Sequence, residues 1–279
     1  MCLQHITGNI YADVSGKYGG NFGAVVLQDQ VVMIDSGMIH THTAKVRDWI
    51  DSQFLLPVTK LLYTHSHSDH VFGAQGLGEL TRIGSKAMSD ICIRNLDDQW
   101  KSETILSNAE SRKEERPELW AAVQNLTLKL PDLVFEKRIT IGAFEELTLQ
   151  HIGGHTAGSS VVISKDEHAI FIGDLIFNGV FPYAGDPTCN PDVWISALEE
   201  IGASNFDYII PGHGPLCDNE ALQSHIEFFQ KLRESVKDAI NAGISADEYL
   251  NRNMMPEYYE EGLSHRGPIT IHRFFDFYS

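Results

Sequence analysis

Four side chains of metal-ligand type crowd into Thr64–His70, where THSHSDH follows the apolar stretch Lys60–Tyr63. A short strand running straight into His65, His67, Asp69 and His70 leaves them on a loop, where a turn can aim several at one point. Three further candidates sit in similar places: His155 in GGHTAGSS after LTLQHI, Asp174 in IFIGDLIF, and His213 in IIPGHGP. Each has an ordinary reading when taken alone. His155 fits a capped turn, Asp174 a helix cap or turn carboxylate, and His213 a proline-locked turn. Together they demand a fold that gathers several strand ends, because imidazole and carboxylate hold Zn²⁺ or another first-row ion only where they converge. Seven candidates exceed the four that one tetrahedral zinc uses. They suffice for two ions sharing a bridging carboxylate and a bridging hydroxide, although spacing does not say which residue serves which ion.

The rest of the chain alternates strand and helix patterns, which predicts a layered α/β protein with helices outside its sheets. Ala24–Gln28 and Val31–Asp35 read as a hairpin turning at Asp29 and Gln30. Ala44–Phe54 reads as a helix with Val46, Trp49 and Ile50 on its apolar side. Residues 86–130 lose the β-branched runs and carry dense charge, so a helical insertion is expected there, with Pro117 opening a helix over Glu118–Leu130. Strands are expected again at Leu147–Ile152, Ser160–Ser164, Ala169–Ile172 and Tyr208–Ile210. Asp192 and Gly202 are the expected caps of a helix over Val193–Ile201. Leu222, Ile226, Phe229, Val236 and Ile240 recur at helical spacing, with His225 assigned to the polar side. The 279 residues are read as one domain, with a helical or irregular C-terminal extension over 216–279.

Charge narrows the partners. Lys and Arg number 21 against 38 Asp and Glu, a net −17, so broad duplex nucleic-acid binding through phosphates is not expected. An anionic substrate stays admissible, since bound cations would dominate the local field. No stretch is apolar enough for a membrane span and no signal segment is evident, so a cytoplasmic location is the expectation. Cys2, Cys92, Cys189 and Cys217 form no CxxC pair and read as reduced thiols. A homodimer is compatible with the sequence, which counts no subunits.

The pattern HxHxDH at His65, His67, Asp69 and His70, followed by His155, Asp174 and His213, resembles the metallo-β-lactamase-fold superfamily of metallohydrolases over about residues 8–215. The resemblance implies an αββα sandwich with two central mixed β-sheets, outer helices and ligands on loops at one edge. It further implies that His65, His67 and His155 bind a first metal, that Asp69, His70 and His213 bind a second, and that Asp174 bridges them. Asp35, in IDSG, is implied to orient the histidine loop; a strand-ending turn is its plainer reading. GDLIFNGVFPYAGDP lacks the arginine-containing stretch of the glyoxalase II pattern, which points to other hydrolase branches.

Such a site predicts a hydroxide attacking a carbonyl of a small-molecule substrate, with a lactone or thioester ahead of an amide or β-lactam. Zinc is the first expectation for both ions, with iron or manganese as alternatives. Asp69 is expected to orient the hydroxide as well as to ligate. Tyr183, in the loop beyond Asp174, either donates to the oxyanion or leaving group or is a buried aromatic. Phe177, Phe181 and Trp194 are wall or core residues. His40 and His42, a further HxH pair on a loop that could visit the cleft, read first as ordinary surface or hydrogen-bonding residues, and His265, His272 or Arg266 could reach the cleft from the tail. The competing functions are phosphodiester hydrolysis, iron-dependent persulfide oxidation, and a non-catalytic metal sensor.

Overall fold

The computed structural model describes residues 3–257 and 266–279. Cys2, Ser264 and His265 lie outside the described residues. Two mixed sheets face each other. The first takes β1 (Gln4–Thr7), β2 (Ile10–Asp13), β3 (Phe22–Val26), β4 (Val31–Ile34), β5 (Val58–Leu62), β6 (Thr81–Ser85) and β7 (Leu133–Phe135) in chain order, antiparallel up to β4 and parallel from there. The second comprises β8 (Arg138–Ile141), β9 (Leu147–His151), β10 (Ser160–Ser164), β11 (Ala169–Phe177) and β12 (Tyr208–His213). All its neighbours are antiparallel except β11 and β12, which pair in parallel.

Successive strand residues point to opposite faces, and here both faces are buried. On β4, Val32 and Ile34 enter the core between the sheets, where they join Val25, Leu62, Leu149, Val162 and Phe171. Val31 and Met33 point the other way and pack with Val46 and Ile50 of α1 (His40–Phe54) and with Met88 and Cys92 of α3 (Lys86–Leu96). On β11, Ile170 and Ile172 likewise turn outward, onto α6 (Pro191–Ala203), α7 (Asn219–Asn241) and α9 (Arg266–Tyr278). The result is helix, sheet, sheet, helix.

The short α2 (Ser68–Val71) and a 3₁₀ turn at Phe72–Leu77 carry the histidine motif away from β5. Between β6 and β7 come α3, α4 (Ser102–Glu110) and α5 (Pro117–Val123). A separate small cluster holds the last two helices: Ala109, Leu119, Ala122 and Val123 pack on Ile39, just before α1. Pro117 does stand at the first turn of α5, but the helix ends at Val123 and not at Leu130. The α8 helix (Ala246–Asn251) and α9 complete the C-terminal part, with α9 burying Thr270, Ile271, Phe274 and Phe275.

Several local expectations shift. The β3–β4 hairpin turns over four residues, Leu27 to Gln30, closed by Leu27 N–H donating to Gln30 O at 2.8 Å. Asn190, not Asp192, caps α6: its side chain accepts from Val193 N–H, and Pro191 takes the first helical position. α1 starts at His40, so His40 and His42 lie in its first turn. There His40 Nε2 pairs with Ala122 O at 2.9 Å, while His42 stacks on Tyr18 with ring centroids 3.5 Å apart. His225 is buried on the apolar face of α7, against Phe229, and not on its polar side. His272 is exposed and pairs with Asp247 at 3.2 Å. Cys92, Cys189 and Cys217 are free and buried. Among the described residues no helix is long and apolar enough to cross a membrane.

Candidate metal centre

The seven residues meet at one end of the sandwich. His65, His67, Asp69 and His70 leave the end of β5, His155 sits in the β9–β10 connection, Asp174 lies within β11, and His213 ends β12. Asp174 faces the site from inside a strand because Gly173 adopts a positive φ of 56°, open to glycine at no steric cost, and the β11–β12 register shifts on either side of it. Gly212 on the neighbouring strand leaves the room: a Cβ there would stand 2.0 Å from Asp174 Oδ1.

Two groups form, with the ligand atoms of each within 4.8 Å of one another: His65, His67, His155 and Asp174, then Asp69, His70 and His213. Asp174 reaches into both. Its Oδ2 lies 3.6 Å from His65 Nε2, 3.5 Å from His155 Nε2 and 3.4 Å from His213 Nε2, and its Oδ1 lies 3.0 Å from His70 Nε2. His213 Nε2 is 3.2 Å from Asp69 Oδ2, and His155 Nε2 is 3.0 Å from His67 Nδ1. Four ligands about 2.0–2.1 Å from a tetrahedral zinc stand about 3.3–3.4 Å from each other, so these spacings suit shared ions. His65 Nε2, His70 Nε2 and Asp174 Oδ1 are buried with no properly directed hydrogen bond among the described residues. Buried polar atoms normally find partners, and here they point at common space. The donor set fits two divalent cations.

The rings are held by their far sides. Asp35 Oδ2 accepts from His70 Nδ1–H at 2.8 Å and from Thr64 Oγ1–H at 2.6 Å, while Asp35 Oδ1 accepts from Thr64 N–H at 2.8 Å. Thr64 Oγ1 in turn accepts from His65 Nδ1–H at 3.0 Å. Asp35 thereby leaves the Nε2 lone pair free on one histidine of each group. Asp186 does the same for His67, accepting from Nε2–H at 3.3 Å, so that Nδ1 faces the site. Asp186 is itself fixed by Thr188, whose N–H and Oγ1–H both donate to Oδ1. The His155 ring packs on Trp194, with centroids 5.0 Å apart, and His213 stacks on Phe177 at 5.0 Å. Asn21 clamps the turn around His213, donating from Nδ2 to Pro211 O and Gly214 O and from its backbone to Gly212 O.

Charge reinforces the fit. Burial opposes ionisation of Asp174 and Asp69, yet the facing histidines, His213 and His70 foremost, hold both carboxyls well below the usual range. Burial also disfavours a charged His213, but Asp174 and Asp69 push it up to about 9, and Asp174 and Asp35 raise His70 in the same way. His65 and His155 go the other way: burial and neighbouring histidines lower both, His155 to about 3. The acids thus draw positive charge into the cluster.

The cleft beside the clusters has a volume of about 280 Å³ and is lined by His67, Asp69, Asp174, Tyr183, Asp186 and Arg266, among others. Tyr183 lies edge-on to His67 at 5.9 Å. Arg266 sits over the Phe177 ring at 5.4 Å. Trp194 and Phe181 are core residues, the indole N–H of Trp194 donating to Leu175 O, whereas Phe177 also lines the cleft. Sequence reasoning missed Asp186 and Asn21. Each is a lone polar residue in a loop, and only the Asp-x-Thr spacing of Asp186 and Thr188 hinted at a structured turn.

Comparison with known proteins agrees with this geometry. A probable metallo-hydrolase of Bacillus subtilis, YqgX, is 23% identical over 207 residues, covering 73% of this chain and 89% of that protein. The acyl-coenzyme A thioesterase MBLAC2 of Bos taurus is 26% identical over 193 residues, covering 65% of this chain and 63% of the relative. A solved metallo-beta-lactamase from Pontibacter korlensis superposes with a TM-score of 0.63 at 18% identity, over 82% of this chain and 98% of that one. Residues 16–213 match the family model described as the metallo-beta-lactamase superfamily. With its αβ/βα sandwich and its paired histidine–aspartate clusters, the chain belongs to that superfamily as a dinuclear, metal-dependent hydrolase.

Proposed function

We propose that the chain hydrolyses an activated carboxylic ester, a lactone or a thioester, with two zinc ions as the resident metals and iron or manganese as alternatives. His65, His67 and His155 would hold one ion, Asp69, His70 and His213 the other, and Asp174 both. The observation that carries the reading is the approach of four imidazole nitrogens to within 3.6 Å of the single Asp174 carboxylate. Bound there, two divalent ions would supply Lewis acidity and lower the pKa of water.

The protein's own groups do the rest. Asp69 borders the cleft and stays ionised, so it accepts a hydrogen bond from the attacking water and orients it. Tyr183 keeps its proton, because burial together with the Asp186 and Asp69 charges raises its phenol above the usual range. It therefore serves as a donor to the carbonyl oxygen or to the leaving group. The described cysteines are poor nucleophiles: burial pushes the thiols of Cys92, Cys189 and Cys217 up to about 12. Similarity to a protein named as a thioesterase supports an acyl substrate. Persulfide oxidation at one open iron site has less support, since Asp69, His70 and His213 assemble a second group.

The test is a panel of lactones, thioesters and phosphodiesters with the metal-loaded protein, alongside elemental analysis. Turnover of a lactone or thioester with two ions per chain is expected; turnover of the phosphodiester alone would overturn the reading. Tyr183→Phe should keep the metal content and lower kcat/KM by about a hundredfold, the scale of one lost oxyanion donor.

A further inference from the structure

Beside the metal cleft lies a second cavity of about 370 Å³, under α4 and α5. The two share Ser68, Gln99 and Trp100 in their walls, and Ser68 directly precedes Asp69. The two cavities are thus immediate neighbours, and only the first is lined by residues of the clusters. The chemistry changes from one to the other. Three aspartates line the cleft, whereas no acidic residue lines the second cavity, although the chain carries 38 Asp and Glu. Met38, Phe72, Trp100, Ile105, Ala109 and Leu119 give it apolar walls, Gln99, Asn108 and Ser111 add neutral polar groups, and Arg112 is its one charged lining residue.

The cavity has a structural origin. Trp100 lies edge-on to Phe72 at 5.3 Å and is buried, which fixes the near wall. The far wall belongs to α4 and α5, whose buried residues form a small cluster of their own around Ile39, with Ile105 alone also touching the larger core. A space is left between that cluster and the histidine loop. A cavity whose apolar side chains face a few neutral polar groups and one arginine, lying next to reactive residues, suits an organic substituent of the substrate.

We propose that this cavity receives the acyl chain of the substrate while its ester or thioester carbonyl sits in the metal cleft. The inference rests on the carbonyl-ester reading above and narrows it to substrates with a straight apolar acyl arm. Each methylene withdrawn from water into such a site improves kcat/KM by about fourfold until the cavity is full. A gain used equally in the ground state and the transition state appears in KM more than in kcat.

The test uses the metal-loaded full chain and thioesters of one thiol from acetyl to decanoyl, with two variants. Ala109→Leu narrows the cavity and Leu119→Ala widens it, and neither residue borders the metal cleft. The wild-type protein should gain about fourfold per methylene up to an optimum. Ala109→Leu should move that optimum to shorter chains and Leu119→Ala to longer ones, both leaving the acetyl rate unchanged, which also reports that each variant has folded. Octyl alcohol, a neutral chain, should bind the metal-loaded wild-type protein with a negative heat-capacity change and bind Ala109→Leu more weakly. Acetyl turnover without any chain-length gain, an optimum that both variants leave in place, or no octyl alcohol binding would overturn the assignment while leaving the ester reading intact. Absence of turnover at every length would instead refute the ester reading itself.

Discussion

Asp35 takes hydrogen bonds from His70 directly and from His65 through Thr64, so one carboxylate orients a ring in each cluster. It also stands at φ 54°, a left-handed conformation that Asp and Asn tolerate better than most residues. Asp35→Asn should therefore keep the backbone while setting an amide N–H₂ against two donors. Loss of such an orienting partner costs about 10–100-fold in metal affinity, and here both equivalents should weaken. Competition with a chromophoric chelator measures this; weakening of one equivalent alone would show that Thr64 transmits nothing. The role of Asp35 came from family resemblance, while Asp186 escaped notice because nothing beside it in the chain marks its contact with His67, 119 positions away.

At the scale of strands and helices, close approach decides whether the ligands can meet. Gly212→Ala would drive a methyl into Asp174 Oδ1, so a folded protein with far-UV circular dichroism unchanged but fewer than two bound ions is expected. Retention of both ions would mean that β11 and β12 part easily. On α7, burial lowers His225 from 6.5 to about 3. Between those limits the unfolded chain takes a proton that the folded chain refuses. The stability that the neutral ring contributes is thus complete above pH 6.5 and is lost as the pH falls toward 3. His225→Phe should flatten the acid limb of urea-unfolding stability by up to about 1.4 kcal/mol per pH unit. Residue type misled the sequence reading here, since His225 stands three positions after Leu222 and four before Phe229, squarely on the apolar stripe. A similar contest explains α6: Asp192 and Asn190 are both good caps, and Pro191 settles the start by favouring the first helical position for itself. The strands around the centre and the histidine group at Thr64–His70 were more legible, because apolar runs and grouped histidines are local signals, whereas β7 and β8 were not read from the sequence. The extents of α1 and α5 were less legible, since packing around Ile39 decides them.

Across the whole molecule the centre joins the two sheets. His65, His67, Asp69 and His70 follow the first sheet, and His155, Asp174 and His213 belong to the second. Each ion held at a hundred times its Kd adds about 2.7 kcal/mol to folding stability. Removing two with a chelator should lower Tm by about 10–20 °C in scanning calorimetry, restored by added zinc. An unchanged Tm would mean that the sheets cohere at this end without ions. The ligand order along the chain has a further consequence for biosynthesis. His65 emerges from the ribosome long before His213, and this last of the seven candidate ligands arrives only with the final strand of the second sheet. If the proposed ligand set holds, a nascent polypeptide can form its first sheet early but cannot capture a complete metal pair until translation has passed residue 213.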